Sequence, residues 1–247
     1  MKINPPFGYK EIVPLNRAHK VRLLKPGEIP EFALGLNSIP ISYSEYALVQ
    51  RDYPIIFLAA EPKGTYLTVA VLGMTAGENL FNNGGKWAGN VYVPAYIRRY
   101  PFCMAKVTLD KVEQQSRLIC VEKSYLDEQG EAMFDEKGEP SAKWRDVERL
   151  LGEYEADLER SREMSSILAD YALFEPFTMQ ANFRDPGAKP MQITGMFRVV
   201  EKKLEDLNAA QLKNLMRKGI LARIYLHLIS LENFARLLDR RAARPQS

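Results

Sequence analysis

The chain is poor in the residues that most often carry chemistry: among 247 residues there are two cysteines, two histidines and two tryptophans. Cys103 and Cys120 can form one bridge at most, and a chain of this length can build a core without one, so a reduced, intracellular setting is expected. Both thiols sit in apolar runs, 102–107 and 118–121, where a small buried side chain is the ordinary reading. His19 and His227 are separated by nearly the whole sequence. No G-x-S-x-G elbow, H-E-x-x-H or H-x-D spacing accompanies them, so neither a nucleophilic hydrolase nor a histidine–carboxylate metal centre has a motif. The phosphate cradles G-x-G-x-x-G and G-x-x-x-x-G-K-[ST] are missing as well, and no cofactor is expected. An excess of one charge is also lacking. Lys and Arg total 34 against 31 Asp and Glu, a net +3, which gives no sign of a nucleic-acid partner. No apolar run approaches the roughly 18 residues that span a bilayer, which excludes a permease and membrane insertion. The first ten residues hold two prolines and no apolar h-region, so no secretory signal and a cytoplasmic location are expected.

What is present describes a globular α+β protein. Hydrophobic residues make up 46% and charged residues 26%, enough apolar surface for a sizeable core. Six prolines in the first 50 residues argue against long elements there. Ser42 or Ser44 is placed to cap a brief helix through Tyr46 and Val49. Residues 53–60 and 66–74 flank Pro62-Lys63-Gly64 and read as a hairpin, apolar on both faces and therefore central in a covered sheet. Asn82-Asn83-Gly84-Gly85 is a strong turn, Pro94 opens a helical turn through Arg99, and 102–109 with 117–122 form a second antiparallel pair. Two acidic turns, 127–131 and 135–139, lack the alternating oxygen series of a calcium loop. Ser141 caps a long helix to about Tyr171, with Trp144, Val147, Leu151, Tyr154 and Leu158 in an apolar stripe and Ser161 and Ser165 interrupting it. A hairpin across Arg184-Asp185-Pro186-Gly187 follows, then a helix capped by Asn208 and ended by Gly219, then a last helix from Leu221 to Arg241. The expected architecture is one α+β unit: an antiparallel sheet in the N-terminal half, a long central helix, a C-terminal hairpin and two helices. Subdomains at 1–140 and 141–247 are an option.

The segment hardest to explain by packing alone runs from Trp87 through Tyr92-Val93-Pro94-Ala95-Tyr96-Ile97-Arg98-Arg99-Tyr100-Pro101-Phe102. Tyr96 and Arg99 share a face of a one-turn helix, and such a group suits a carboxylate, a phosphate or an acidic peptide. The structural alternative pairs Arg98 or Arg99 with Asp52 or another buried carboxylate. Arg51, Asn79, Trp87, Tyr92, Tyr96, Arg98, Arg99 and His227 are the candidate binding residues; no catalytic or metal-ligating set is assigned. The basic end of the last helix, with Arg236, Arg240, Arg241 and Arg244, reads as a helix cap rather than a DNA-binding arm.

The order of these motifs resembles the SapC family. The resemblance rests on Arg51-Asp52-Tyr53-Pro54-Ile55-Ile56-Phe57, Glu78-Asn79-Leu80-Phe81, Trp87, the 92–102 segment, 126–140 and the 219–231 stretch containing Tyr225-Leu226-His227-Leu228. It implies a bacterial protein named for surface-layer formation, often labelled a peptide-transport permease, a label this composition opposes. It further implies an accessory role beside outer-membrane TonB-dependent receptors, halogenase-like flavoproteins and cupin-like oxygenases. No catalytic residues come with it. A protein or small-ligand partner is therefore expected, with oligomerisation open. The alternative is an enzyme, or an enzyme subunit working with an oxygenase or a flavin-dependent halogenase-like partner, that uses His227 or Tyr96 as an acid–base group.

Overall fold

In the computed structural model, residues 2–109, 112–181 and 191–244 are described. Among them lie six α-helices: α1 (Tyr46–Val49), α2 (Ala95–Arg98), α3 (Ala142–Asp170), α4 (Ala209–Arg217), α5 (Ile220–Ser230) and α6 (Asn233–Ala242). With antiparallel sheets beside them, the class is α+β, as expected. The chain forms two compact units. The first comprises Met1–Leu34, Asn82–Gly89 and Ala95–Ala156; the second comprises Gly35–Phe81, Asn90–Pro94 and Asp157–Ser247.

The first unit is built on a four-stranded antiparallel sheet in the order Lys2–Ile3, Phe102–Leu109, Val112–Glu122, Ile12–Pro14. Cys103 lies directly across from Cys120 and Phe102 across from Val121. All four are buried, and α3 lays Trp144 and Leu151 into the same core. The helix starts where the Ser141 hydroxyl accepts the Trp144 N–H at 3.1 Å, a side-chain cap for an otherwise orphaned donor. Glu122 is buried because its carboxylate accepts the backbone N–H groups of Lys10 (2.8 Å) and Glu11 (3.2 Å). The two acidic turns close on their own aspartates: Asp127 accepts the N–H of Gln129, and Asp135 accepts those of Lys137 and Glu139.

The second unit holds a five-stranded antiparallel sheet in the order Phe174–Ala181, Met191–Val199, Ile55–Ala60, Thr65–Val71, Ser38–Pro40. The hairpin of Ile55–Ala60 and Thr65–Val71 is interior to it, and Ile55, Ile56, Phe57, Val69, Ala70 and Val71 are all buried. That position explains a run apolar on both faces. The expected turn at 184–187 lies outside the described residues. Ser42 opens the short helical segment with a capping box to Glu45. On α3 the polar positions that interrupt the apolar stripe are buried: Asp157, Ser161 and Ser165. Asp157 accepts the Ser44 N–H at 3.3 Å and the Ser42 hydroxyl at 3.4 Å, so this polar stripe anchors the segment before α1.

The expected single last helix is two, α5 and α6, broken at Leu231 and Glu232. Side chains at the break serve the start of the Ile55–Ala60 strand and the turn that leads into it. Ser230 Oγ accepts the Ile55 N–H at 2.8 Å, and Asn233 Nδ2 donates to the carbonyls of Gln50 and Tyr53 at 2.8 and 3.1 Å.

Candidate functional site

The candidate residues are divided between the two units. Trp87, Tyr96, Arg98 and Arg99 belong to the first, and Arg51, Asn79, Tyr92 and His227 to the second.

In the first unit, α2 aims Arg99 inward. It is 3% exposed, and its guanidinium carbon lies 4.1 Å from the ring centre of Tyr96, 4.7 Å from that of Tyr154 and 5.8 Å from that of Tyr9. Three phenol rings thus surround one cation, a favourable arrangement once water is excluded. Its Nη1 is 3.8 Å from Glu155 Oε1, and Glu155 also pairs with Arg117. Arg99 Nε is buried with no hydrogen-bond partner among the described residues. The phenols are committed to backbone carbonyls: Tyr96 donates to Phe7 and Tyr9 to Phe102, each at 2.6 Å. Burial pushes the Tyr96 phenol above its ordinary pKa, so it stays protonated. Arg98, one residue earlier, faces outward. Trp87 is buried in the short hairpin of Asn82–Asn83 and Lys86–Trp87, with its backbone N–H donating to the Gly27 carbonyl at 2.7 Å. Cys103 and Cys120 are free and buried, and burial pushes their thiols up to about 12 and about 11.

In the second unit, Tyr92 closes a polar set. Its N–H donates to Asp52 at 3.3 Å, its hydroxyl donates to Glu45 at 3.1 Å, and its carbonyl accepts the Tyr53 hydroxyl at 2.5 Å. Asn79 is buried and accepts the Phe81 N–H, and Arg244 reaches the Asn79 carbonyl at 2.8 Å. Arg51 is exposed, and its carbonyl accepts from Arg236 at 2.7 Å.

His227 performs a defined structural task. The register that sets Phe197 against Phe57 would set Val199 against Ile55, but the ladder pairs only as far as Phe197. The imidazole of His227 fills the gap: Val199 N–H donates to Nε2 at 3.1 Å, and Nδ1 meets the Ile55 carbonyl at 2.7 Å. An amide N–H can only donate and a carbonyl can only accept. The ring is therefore the neutral Nδ1–H tautomer, relaying one sheet hydrogen bond through a side chain. Burial pushes its pKa down to about 4. Ser230, one turn on, takes the Ile55 N–H and donates to the His227 carbonyl at 2.6 Å.

The C-terminal helices carry a surface that motif reasoning passes over. Leu204, Leu212, Leu221 and Tyr225 line an open cleft of about 580 Å³, with Glu201, Lys202 and Glu205 at its edge. Met216 is 63% exposed, Tyr225 42% and Ile229 58%. Helix α5 buries Ile220, Ile224 and His227 and turns Leu221, Tyr225 and Ile229 away from them. The signal in the sequence is a run of apolar residues at four-residue spacing, Leu221, Tyr225 and Ile229, that extends past the face buried by Ile220 and Ile224. Among the described residues no three His, Cys, Asp or Glu side chains gather as a metal-ligand set, and no helix is long and apolar enough to cross a membrane.

No curated protein and no solved structure matches the chain. A family model does, the one described as SapC, over residues 15–237. That match takes in Arg99 with Tyr96, Tyr154 and Glu155, the His227 hydrogen bonds and the apolar cleft, though not Tyr9, and the chain belongs to the SapC family.

Proposed function

We propose that the protein is a non-enzymatic binding or accessory protein, and that it engages its partner through the apolar surface of α4 and α5. What the SapC resemblance implies, surface-layer formation by its name and a role beside outer-membrane receptors, supports a surface-layer or outer-membrane uptake system as the setting. The observation that carries the reading is the cleft of about 580 Å³ lined by Leu204, Leu212, Leu221 and Tyr225, with Met216 and Ile229 exposed on the same two helices. Contiguous apolar surface kept in water is costly at roughly 25 cal/mol per Å², and on a soluble chain it marks an interaction site. The alternative, an enzyme using His227 or Tyr96 for proton transfer, has less support. Both ring nitrogens of His227 hold backbone groups, and the Tyr96 phenol is engaged by the Phe7 carbonyl.

A single labelling experiment tests the reading. Both native thiols are buried, so Met216→Cys supplies one accessible thiol on the proposed surface. A trace of this variant should react with maleimide several-fold more slowly in native-host extract than in buffer. Equal rates would refute a partner on this surface.

A further inference from the structure

Helix α4 places two kinds of side chain side by side. Leu212 and Met216 point toward the cleft and solvent. Lys213 and Arg217 each follow one residue later, hence about 100° further round the helix, and line a second recess with Lys218. Across the cleft from α4 stands the 3-10 turn Glu201–Leu204. There Glu201 and Glu205 flank Lys202 at the edge. Lys203 is spent on the Ala172 and Phe174 carbonyls, and Lys218 on Glu163. The cleft is thus bordered on one side by two glutamates with Lys202 between them, a net negative rim, and the Lys213 and Arg217 face of α4 supplies a basic rim.

We infer that the occupant of this surface is a second copy of the same chain. The inference rests on the binding reading above and names its partner. A closed two-fold dimer brings one patch against itself. If the axis runs along the cleft, each point on one side of a copy meets the opposite side of the other. Glu201 and Glu205 of one protomer then face Lys213 and Arg217 of its partner, and the reverse pair forms on the far side. Met216, Leu221, Tyr225 and Ile229 meet their own counterparts between the rims. An unrelated partner would need only one complementary rim; this surface carries both, in the arrangement a two-fold axis exchanges.

The test uses purified full-length protein and two charge-reversed variants, Glu201→Lys with Glu205→Lys, and Lys213→Glu with Arg217→Glu. All four side chains are exposed, and none of them forms an ion pair among the described residues. Analytical ultracentrifugation should show a concentration-dependent dimer for the wild type, and each variant should dimerise roughly tenfold more weakly because like rims now face each other. Mixing the two variants should restore dimer, since the reversed rim of one faces the reversed rim of the other with opposite charge. Circular dichroism confirms that both variants are folded. A wild type that stays monomeric, variants that dimerise like the wild type, or a mixture that stays monomeric would each overturn the proposal. A monomeric wild type whose Met216→Cys thiol is nonetheless protected in extract would overturn only the second-copy assignment and leave the binding reading standing.

Discussion

His227 makes the stability of the second unit depend on pH in a way that can be worked out from its surroundings. Its folded pKa of about 4 lies below the 6.5 of a free imidazole, because burial penalises the charged ring and the Arg198 charge adds to that penalty, together outweighing the Ile55 carbonyl, whose hydrogen bond favours the charged form. Between those two values the unfolded chain binds a proton that the folded chain refuses. Stability from this group is therefore complete above pH 6.5 and is lost as the pH falls toward 4. At about 1.4 kcal/mol per tenfold change in proton affinity, the loss is about 3 kcal/mol. The comparison is wild type against His227→Gln, whose amide offers one donor and one acceptor to the same backbone groups but does not titrate. Denaturant unfolding followed by far-ultraviolet circular dichroism across this window should show the gap between the two proteins closing or reversing as the solution is acidified. Tryptophan fluorescence is the wrong probe, because Trp87 and Trp144 both belong to the first unit. Parallel pH profiles for the two proteins would refute the neutral-splice assignment.

Further outcomes follow from the same contacts. Asn233→Ala strips the Gln50 and Tyr53 carbonyls of their donor and should cost about 1–3 kcal/mol, read by hydrogen exchange in the second unit. Glu155→Ala leaves Arg99 and Arg117 in place without their carboxylate and should cost about 3–5 kcal/mol, seen as an early tryptophan-fluorescence transition; Arg99→Met, which leaves Glu155 still paired with Arg117, should cost less. Gly219 has φ +69° and a Cβ there would stand 2.8 Å from the Tyr43 hydroxyl, so Gly219→Ala should destabilise more than Gly64→Ala, where φ is also positive but nothing lies within 4 Å; thermal unfolding by circular dichroism separates them. Cys103 and Cys120, with thiol pKa values near 12 and 11, should resist iodoacetamide at pH 8 until denaturant is added.

The elements that local chemistry specifies were legible in the sequence. The doubly apolar hairpin proved interior to its sheet, Ser141 and Asn208 cap their helices, and Gly219 takes the left-handed turn. What was not legible depended on long-range partners. Ser161 and Ser165 look like breaks in an apolar stripe, yet lie buried with Asp157 on the α3 face that anchors Ser42 and Ser44. The division of α5 from α6 carries no glycine or proline; it is marked only by Ser230, whose side chain serves a strand 175 residues earlier, and Asn233, whose side chain serves the turn just before that strand. The same distance effect governs the candidate site. Tyr96 and Arg99 were found together from their spacing, but Glu155 and Tyr154, which complete the surroundings of Arg99, come from another helix. Each unit is assembled from three separate stretches of chain, which no local feature announces.

The central claim, that this protein acts by binding through the α4–α5 surface, is tested most directly in the native host. Tyr225 and Leu67 are both exposed apolar side chains of the second unit, 42% and 53% accessible, but only Tyr225 lies on the proposed surface. With a photoreactive benzoyl-phenylalanine placed at one position or the other, irradiation of living cells should give a discrete covalent adduct from position 225 and none from position 67. Its mass should be twice that of the chain if the occupant is a second copy. No adduct from position 225, or adducts of equal yield from both positions, would contradict the account.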